Sequence, residues 1–308
     1  MADHKKALVL LDGSQRSLMT VDYLISMAMF REMKLVLYNV FSGIPESYWD
    51  LEKEPASYHI YHDLKAWERE KRQQIDNYMS LARKRLIDAG IDASAVEIKI
   101  HNREKGVARD ILEEAQHGYD TVVLRRRGMG QMEGLSMGSI ASKLLSRLHH
   151  LPVQVAGRKE QNKRILIAVD GSPSAVHAVD YVAGHLGRHD YTAELFHVIR
   201  GFGSSIPENP EFVMPPESLE TAEMKMREHF KELREKLLTA GFRAENVSEK
   251  ISTGAHSRSG TIVKEAEMGN FSSIALGRQG HSKVQEFFMG RVSHKVVHHG
   301  RYHSVWII

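Results

Sequence analysis

The sequence Leu276-Gly277-Arg278-Gln279-Gly280, followed after nine residues by Gly290-Arg291-Val292-Ser293, is the most informative stretch of the chain. It comes directly after an apolar run at 273–276 that predicts a buried strand, and a helical pattern follows it. Glycines between a strand and a helix let the backbone approach a ligand closely and direct its N–H groups at an anion. The stretch therefore predicts a phosphate-binding loop.

A looser copy of this loop occurs earlier in the chain. The apolar run 122–124 is followed by Arg125-Arg126-Arg127-Gly128 and, after nine residues, by Gly138-Ser139-Ile140. The start of the chain is also repeated, because the segment 163–172 matches the segment 5–14 almost element for element. With 308 residues in total, these repeats predict a tandem duplication with domains at 1–157 and 163–308.

Strand and helix patterns alternate in each repeat. Such alternation is typical of right-handed βαβ units and of a parallel sheet that is covered on both faces. The sequence thus predicts an α/β fold with two tandem, open, Rossmann-like sheets of five parallel strands each, in the order 3-2-1-4-5. The strands of the first repeat are predicted at about 6–12, 34–40, 96–101, 121–124 and 152–155.

A second polar motif follows the first strand of each repeat. It reads Asp12-Gly13-Ser14 in the first repeat and Asp170-Gly171-Ser172 in the second. In the order 3-2-1-4-5 the strand order reverses between strands 1 and 4, and ligands bind beyond the carboxyl ends of the strands at such a point. The acidic turn and the glycine loop are therefore expected to meet in one crevice per repeat. The alternative is that Asp-Gly is a plain turn in both places.

These two motifs, Asp-Gly-Ser after the first strand and Gly-x2-Gly-x9-Gly-[Ser/Thr] after the fourth, resemble the universal stress protein family in its tandem two-domain form. The resemblance covers essentially the whole chain. It implies a fold like that of the adenine nucleotide alpha hydrolases that binds ATP or AMP, with Mg²⁺ as an optional companion. It also implies that the strand-1 Asp and the residue ending strand 2 line the adenine and ribose side, and that the glycine loop and the residues after it hold the phosphates.

The resemblance carries a set of candidate binding residues onto each repeat. In the second repeat they are Asp170, Gly171, Ser172, Val198, Gly277, Arg278, Gly280, Gly290, Arg291, Val292 and Ser293. In the first repeat they are Asp12, Gly13, Ser14, Val40, Arg125, Gly128, Gly138, Ser139 and Ile140. The family also implies dimers that join through the last strand; here the segments 153–155 and 305–307 could pair within one chain as an intramolecular pseudo-dimer, and a further homodimer stays open.

Each repeat departs from the family pattern at one position. Arg125 stands where the first glycine of the loop is expected, so that its side chain either crowds the nucleotide or points away from it. Arg291 stands where a Ser or Thr is expected, which removes a hydroxyl partner for phosphate or Mg²⁺ and supplies a cation that can pair with phosphate. Either repeat could therefore hold a degenerate site.

The function expected from these features is that of a nucleotide-binding sensor or regulatory protein in the stress response, acting on an unknown protein partner. The alternatives are a slow ATPase or a nucleotidyl- or phosphoryl-transfer enzyme, and a nucleotide-independent interaction scaffold. The sequence lacks the P-loop, zincin and nucleophile-elbow signatures, so no catalytic residue and no metal ligand is predicted. A weaker hypothesis is that the segment 201–216 covers a hydrophobic ligand.

The bulk composition limits which functional classes remain for the protein. The formal charge of +3 gives little reason to expect nucleic-acid binding, and the absence of cysteine excludes disulfides and thiolate metal sites. The sequence has no apolar run of the roughly 18 residues that a membrane span needs, and no signal-peptide pattern at its start. We therefore expect a cytoplasmic protein with no membrane partner.

Overall fold

The computed structural model describes residues 5–44, 58–127, 137–157, 162–200, 216–280 and 289–308. These residues form two compact units. Unit 1 lies within 1–25 and 30–144, and unit 2 combines 26–29 with 145–308. No helix in the described ranges is both long enough and apolar enough to cross a bilayer.

Unit 1 contains a parallel sheet in the order β3-β2-β1-β4. Its interior strand β1 is flanked on both sides, and Ala7, Leu8 and Val9 in its centre are fully buried, as expected for a continuous apolar run. The elements in chain order are β1 (Lys6–Leu10), α1 (Gln15–Ser26), a 3₁₀ turn (Ala28–Glu32), β2 (Lys34–Phe41), α2 (Tyr58–Asp88), a 3₁₀ turn (Ala93–Ala95), β3 (Val96–Asn102), α3 (Val107–Glu114), β4 (Thr121–Arg125) and α4 (Ser139–Arg147), whose last residues fall in unit 2.

Unit 2 contains a six-stranded sheet in the order β5-β10-β9-β6-β7-β8. The strands from β10 to β8 pair in parallel, whereas β5 pairs antiparallel with β10, with Val155 opposite Val305. The elements are β5 (Val153–Ala156), β6 (Arg164–Ala168), α5 (Pro173–Leu186), β7 (Thr192–Arg200), α6 (Pro216–Thr239), a 3₁₀ turn (Ala244–Asn246), β8 (Val247–Ala255), α7 (Arg258–Met268), β9 (Ser273–Leu276), α8 (Arg291–His299) and β10 (Ser304–Ile307).

The predicted architecture is confirmed. Strands β6 to β10 of the second repeat have the order 3-2-1-4-5, and β1 to β4 of the first repeat occupy its first four places. The pairing of 153–155 with 305–307 is present, and it places β5 of the first repeat in unit 2. The compact units thus differ from the sequence repeats, and the domain limits 1–157 and 163–308 stay a prediction.

The helices of unit 2 pack in two pairs. Helix α5 packs against α6, and α7 packs against α8. Right-handed crossovers from β6 to β7 and from β8 to β9 put these pairs on opposite faces of the sheet. The carboxyl ends of β6, β7, β8 and β9 therefore open toward the first residues of α5, α7 and α8, which is where the sequence predicts the crevice.

Candidate functional site

The acidic turn after β6 forms the floor of the site in unit 2. The Asp170 Oδ1 atom accepts a hydrogen bond of 3.0 Å from the Ser172 backbone N–H. Gly171 between them has φ +81°, which glycine adopts without strain. The Ser172 hydroxyl oxygen then accepts the Ala175 N–H at 3.2 Å and caps α5, whose first residue is Pro173. The sequence Asp-Gly-Ser thus holds the carboxylate in place and starts the helix.

The glycine loop after β9 lies against this turn. A Cβ atom added at Gly277 would come within 2.5 Å of the Ser174 hydroxyl oxygen and 2.6 Å of its carbonyl carbon, so a side chain does not fit there. A Cβ atom added at Gly280 would come within 2.4 Å of the Asp170 Oδ2 atom. The two motifs therefore meet, and glycine is what lets them approach so closely.

The segment after the loop returns to it through two hydrogen bonds. The Gly290 N–H donates to the Arg278 carbonyl oxygen at 2.8 Å, and the Ser293 hydroxyl donates to the Gly277 carbonyl oxygen at 2.8 Å. Gly290 is the residue before α8, and a Cβ atom there would lie 3.2 Å from the Arg278 oxygen. These bonds bring the first turn of α8 over the end of β9, with Arg291 as its first residue.

Strand β7 contributes His197, which sequence reasoning did not single out as a ligand residue. The His197 Nδ1 atom donates a 2.7 Å hydrogen bond to the Val169 carbonyl oxygen, which leaves Nε2 as an acceptor in the neutral ring. Burial lowers the pKa of His197, and the Arg258 and His229 charges lower it further, against the hydrogen bond and the Asp170 charge, which raise it. The sequence feature that could have indicated His197 is its position directly before Val198, which was predicted as a ligand residue at the end of the second strand.

These parts enclose a pocket of about 680 Å³ at the carboxyl end of the sheet. That volume is in the range of small-molecule sites. Of the residues predicted for the second repeat, those that line the pocket are Asp170, Ser172, Val198, Gly277, Gly280, Gly290, Arg291, Val292 and Ser293. The lining also includes residues that were not predicted, among them His197, Arg200, His256, Arg258 and Lys295.

Gly171 and Arg278 were predicted in the same set, but neither lines the pocket. The Arg278 side chain is 6% exposed, and its guanidinium donates to the Leu145 and Leu151 carbonyl oxygens at 2.8 and 3.2 Å. Burial lowers the pKa of Arg278 to about 10. The side chain of Arg278 thus binds backbone within unit 2, and Gly171 supports the site through its backbone conformation.

In unit 1 the acidic turn has the same local geometry. The Asp12 Oδ1 atom accepts the Ser14 N–H at 3.0 Å, and Gly13 has φ +84°. The Ser14 hydroxyl oxygen accepts the Ser17 N–H at 3.1 Å. At the end of β2, the Asn39 side chain donates to the Leu11 carbonyl oxygen at 2.7 Å, as His197 does to Val169 in unit 2.

Helix α2 packs directly over this turn. A Cβ atom at Gly13 would be 2.5 Å from the Ile75 Cδ1 atom, and the Ser17 hydroxyl forms a hydrogen bond with the Tyr78 hydroxyl. Burial is the main reason that the pKa of Tyr78 rises to about 12. The side chain of Ile75 therefore packs directly against the turn at Gly13.

The same helix also covers the carboxyl end of β2. The Glu68 Oε1 atom accepts the Ile44 N–H at 3.0 Å, and the Arg72 guanidinium lies 5.3 Å from the centre of the Phe41 ring. In unit 2, by contrast, no described residue of α6 lines the pocket. In unit 1, helix α2 thus contacts the chain at the carboxyl ends of both β1 and β2.

The glycine loop of unit 1 is described only in part, because Gly128 lies outside the described residues. The Arg125 guanidinium contacts the Met19 sulfur at 3.4 Å, and burial lowers its pKa. The Gly138 N–H donates to the Arg126 carbonyl oxygen at 2.7 Å, which matches Gly290 in unit 2. Ser139 and Ile140 open α4, and Val40 is half-buried near the end of β2.

The sequence pattern of the universal stress protein family matches residues 4–156 and 161–308. The chain belongs to this family and carries two copies of its domain. A search of curated proteins found no match.

Solved structures agree with this fold. A universal stress protein from Archaeoglobus fulgidus is 17% identical with a TM-score of 0.66, over 99% of this chain and 98% of that chain. A putative universal stress protein from Pseudomonas aeruginosa is 15% identical with a TM-score of 0.61, over 99% of this chain and 93% of that chain. A universal stress protein in complex with cAMP is 17% identical with a TM-score of 0.37, over 48% of this chain and 98% of that chain. At this level of identity, the first two likenesses show the fold alone.

Proposed function

We propose that the second repeat binds an adenine nucleotide, ATP or AMP, and that the protein acts as a nucleotide-dependent sensor or regulatory protein in the stress response. The observation that carries this proposal is the pocket in unit 2, in which the glycine loop reaches the Asp170 carboxylate. Such a loop between a strand and a helix is suited to phosphate because its N–H groups and the start of α8 both favour an anion.

The groups around the pocket fit the parts of a nucleotide. Val198 and Phe196 offer an apolar surface on the β7 side, and the neutral His197 ring offers its Nε2 atom as a hydrogen-bond acceptor for an amino group. Asp170 is the acceptor for ribose or base N–H and O–H groups, and Arg291 supplies positive charge at the loop for phosphate. Arg291 stands at the hydroxyl position of the family pattern, so titrations with and without Mg²⁺ are part of the test.

The regulatory mechanism that we propose is a ligand-biased conformation. A ligand shifts a conformational equilibrium only by its difference in affinity for the two states. Bound phosphate would favour the conformation in which the loop residues Gly277 and Gly280 face it, and this conformation would present a different surface to an unknown protein partner.

The experiment is a calorimetric titration of nucleotide-stripped protein with ATP, ADP and AMP. Asp170→Ala is the test variant and Asp12→Ala is its matched control, because both aspartates hold the same turn. Loss of a charge-assisted hydrogen bond of about 1.5–3 kcal/mol predicts that Asp170→Ala binds about 10- to 100-fold more weakly. Asp12→Ala should bind as the native protein does.

Other outcomes would assign the protein to the alternative classes. Absence of binding by every nucleotide would contradict the proposal and favour an interaction scaffold. Steady product release that disappears in Asp170→Ala would favour a slow ATPase or a transferase. Equal loss of binding in Asp12→Ala would show that unit 1 also contributes a site.

A further inference from the structure

The pocket of unit 2 is lined by an excess of positive charge. Arg200, Arg258, Arg291 and Lys295 all contribute to its wall, whereas Asp170 is the carboxylate among the described lining residues. Like charges gathered around a cavity repel one another, and an anionic ligand offsets this repulsion. The wall is therefore suited to a ligand that carries more than one negative charge.

Three of these four cations lack a carboxylate partner among the residues that the structure describes. Arg258, Arg291 and Lys295 form no ion pair with a carboxylate of the described residues. Elsewhere in the same unit, Lys250 pairs with Glu265 at 2.7 Å, and Lys236 pairs with Asp180 at 2.7 Å. Among the described residues, these three pocket cations thus have no carboxylate partner and are available to a ligand. The two lysines outside the pocket, by contrast, are paired with carboxylates.

The cations stand at two separate places. Arg291 is the first residue of α8 and Lys295 follows one turn later, next to the glycine loop, whereas Arg258 is the first residue of α7. Helices α7 and α8 pack together, and packed helix axes lie about 8–10 Å apart. Helix α7 follows the edge strand β8, whereas α8 follows β9, and β7 and β6 lie between these two strands in the sheet. The pocket therefore has two cationic ends.

The fold itself does not require the arginines at the starts of α7 and α8. In unit 1 the first residue of α3 is Val107, and the first residue of α4 is Ser139. The lysine near the start of α3, Lys105, is paired with Glu113 at 2.7 Å. The arginines at the starts of α7 and α8 are thus particular to the repeat with the open pocket.

We infer that the ligand of unit 2 is a nucleotide that carries a phosphate on its ribose in addition to its 5′ phosphate. The inference rests on the proposed function, since it takes the 5′ phosphate to lie at the glycine loop with Arg291 and Lys295. A chain of 5′ phosphates alone stays at the end of the pocket that holds the glycine loop, Arg291 and Lys295. It therefore leaves Arg258 without a counter-charge. A second phosphate on the 2′ or 3′ oxygen gives Arg258 a partner, and arginine binds phosphate through two parallel hydrogen bonds.

The test compares three ligands by calorimetry on the full chain: AMP, adenosine 3′,5′-bisphosphate and adenosine 2′,5′-bisphosphate. One bisphosphate should bind about 10-fold or more tightly than AMP, as expected for one additional charge-assisted contact. In Arg258→Gln the ratio of the two affinities should fall to about one. Lys264→Gln removes the same charge from an exposed position of α7 outside the pocket wall and should preserve the ratio.

The outcomes separate this inference from the proposed function. If AMP binds but neither bisphosphate binds more tightly, or if the advantage persists in Arg258→Gln, the inference is overturned and the proposed function stands. Pyrophosphate that binds as tightly as the better bisphosphate would show recognition of a free anion and would also overturn it. If no nucleotide binds, the proposed function fails and the inference fails with it.

Discussion

Units 1 and 2 share the turn after their first strand but differ in what lies over it. Asp12 and Asp170 accept the same backbone hydrogen bond at the same distance. In unit 1 the side chain of Ile75 packs against Gly13, whereas in unit 2 the turn forms the floor of a pocket. The Asp-Gly-Ser motif therefore specifies a turn and a helix start in both repeats, whereas the side chains that surround the turn differ between the repeats.

The largest expected effect comes from exchanging the first loop position between the repeats. Gly277→Arg places a side chain against backbone atoms of Ser174, so we expect a loss of about 2–3 kcal/mol in unfolding free energy. Arg125→Gly, the reverse change in unit 1, should cost less than about 1 kcal/mol, because the Arg125 guanidinium contacts Met19, a side chain that is itself exposed. Urea denaturation measures both.

Gly184→Ala is the control for this comparison, because a Cβ atom at Gly184 in α5 meets no atom within 4 Å. That substitution should stabilise the protein by about 0.5–1 kcal/mol. If Gly277→Arg is as stable as the native protein, the close approach of the glycine loop to α5 is wrong.

The second prediction separates stability from binding at Arg278. Arg278→Met removes two hydrogen bonds from a buried guanidinium and leaves the Leu145 and Leu151 carbonyl oxygens without these donors. We expect the unfolding free energy to fall by about 1–3 kcal/mol. The nucleotide affinity of the folded variant should stay within a factor of about three of the native value, because the side chain does not line the pocket. A loss of affinity at unchanged stability would restore Arg278 as a ligand residue.

The third prediction concerns the pH dependence of stability, and its test substitution is taken from the equivalent position of unit 1. The pKa of His197 is lowered in the folded state, so the unfolded chain binds the proton more readily. Its contribution to stability is therefore complete above the ordinary histidine pKa of about 6.5 and is lost as the pH falls below that value toward the folded pKa. His197→Asn introduces the residue that unit 1 has at Asn39, which donates the equivalent hydrogen bond.

We expect the native protein to lose more stability than His197→Asn between pH 7 and pH 5. Urea midpoints at several pH values give both slopes. Asp170, Arg258 and His229 act on the same ring and are present in both proteins, so the difference between the slopes reports His197. Equal slopes would contradict the prediction.

The smallest effect is expected at the hydrogen bond between Tyr78 and Ser17 in unit 1. Tyr78→Phe removes the hydrogen bond between the Tyr78 and Ser17 hydroxyls and should lower the unfolding free energy by about 0.5–1.5 kcal/mol. The stoichiometry of nucleotide binding should not change, because Ile75 still packs on the turn. A second bound nucleotide in this variant would show that one hydroxyl contact, and not the packing of α2, keeps the unit 1 crevice closed.

The sequence predicted the fold and much of the second-repeat pocket because both depend on local signals. Apolar runs predict strands buried on both faces, and an acidic turn and a glycine loop after adjacent strands must meet at one edge of a parallel sheet. Asp170, Gly277 and Gly280 could be assigned in this way. The family pattern also indicated the substitution at Arg291, which now lies in the pocket wall.

Features that depend on tertiary packing could not be read from the sequence. Helix α1 ends at Ser26, and the segment 26–29 groups with unit 2, where the Met27 sulfur lies 3.7 Å from the Tyr191 hydroxyl. Helix α2 is rich in charged residues, yet its Ile75 packs against Gly13 and its Tyr78 forms a hydrogen bond with Ser17. Arg278 lies inside the loop motif, yet its side chain points to backbone carbonyls that are distant in sequence. The segment 201–216, for which we considered a hydrophobic ligand, lies outside the described residues except for Pro216.

The central claim is that nucleotide binds unit 2 and not the covered turn of unit 1. Photoaffinity labelling with an azido-adenine nucleotide, followed by peptide mapping, tests it most directly. The account predicts that labelled peptides come from the walls of the unit 2 pocket, around 196–200, 256–262, 276–280 and 290–295, and that excess AMP abolishes the labelling. Labelling of peptides around 11–14 or 38–44, competed by AMP to the same degree, would contradict it.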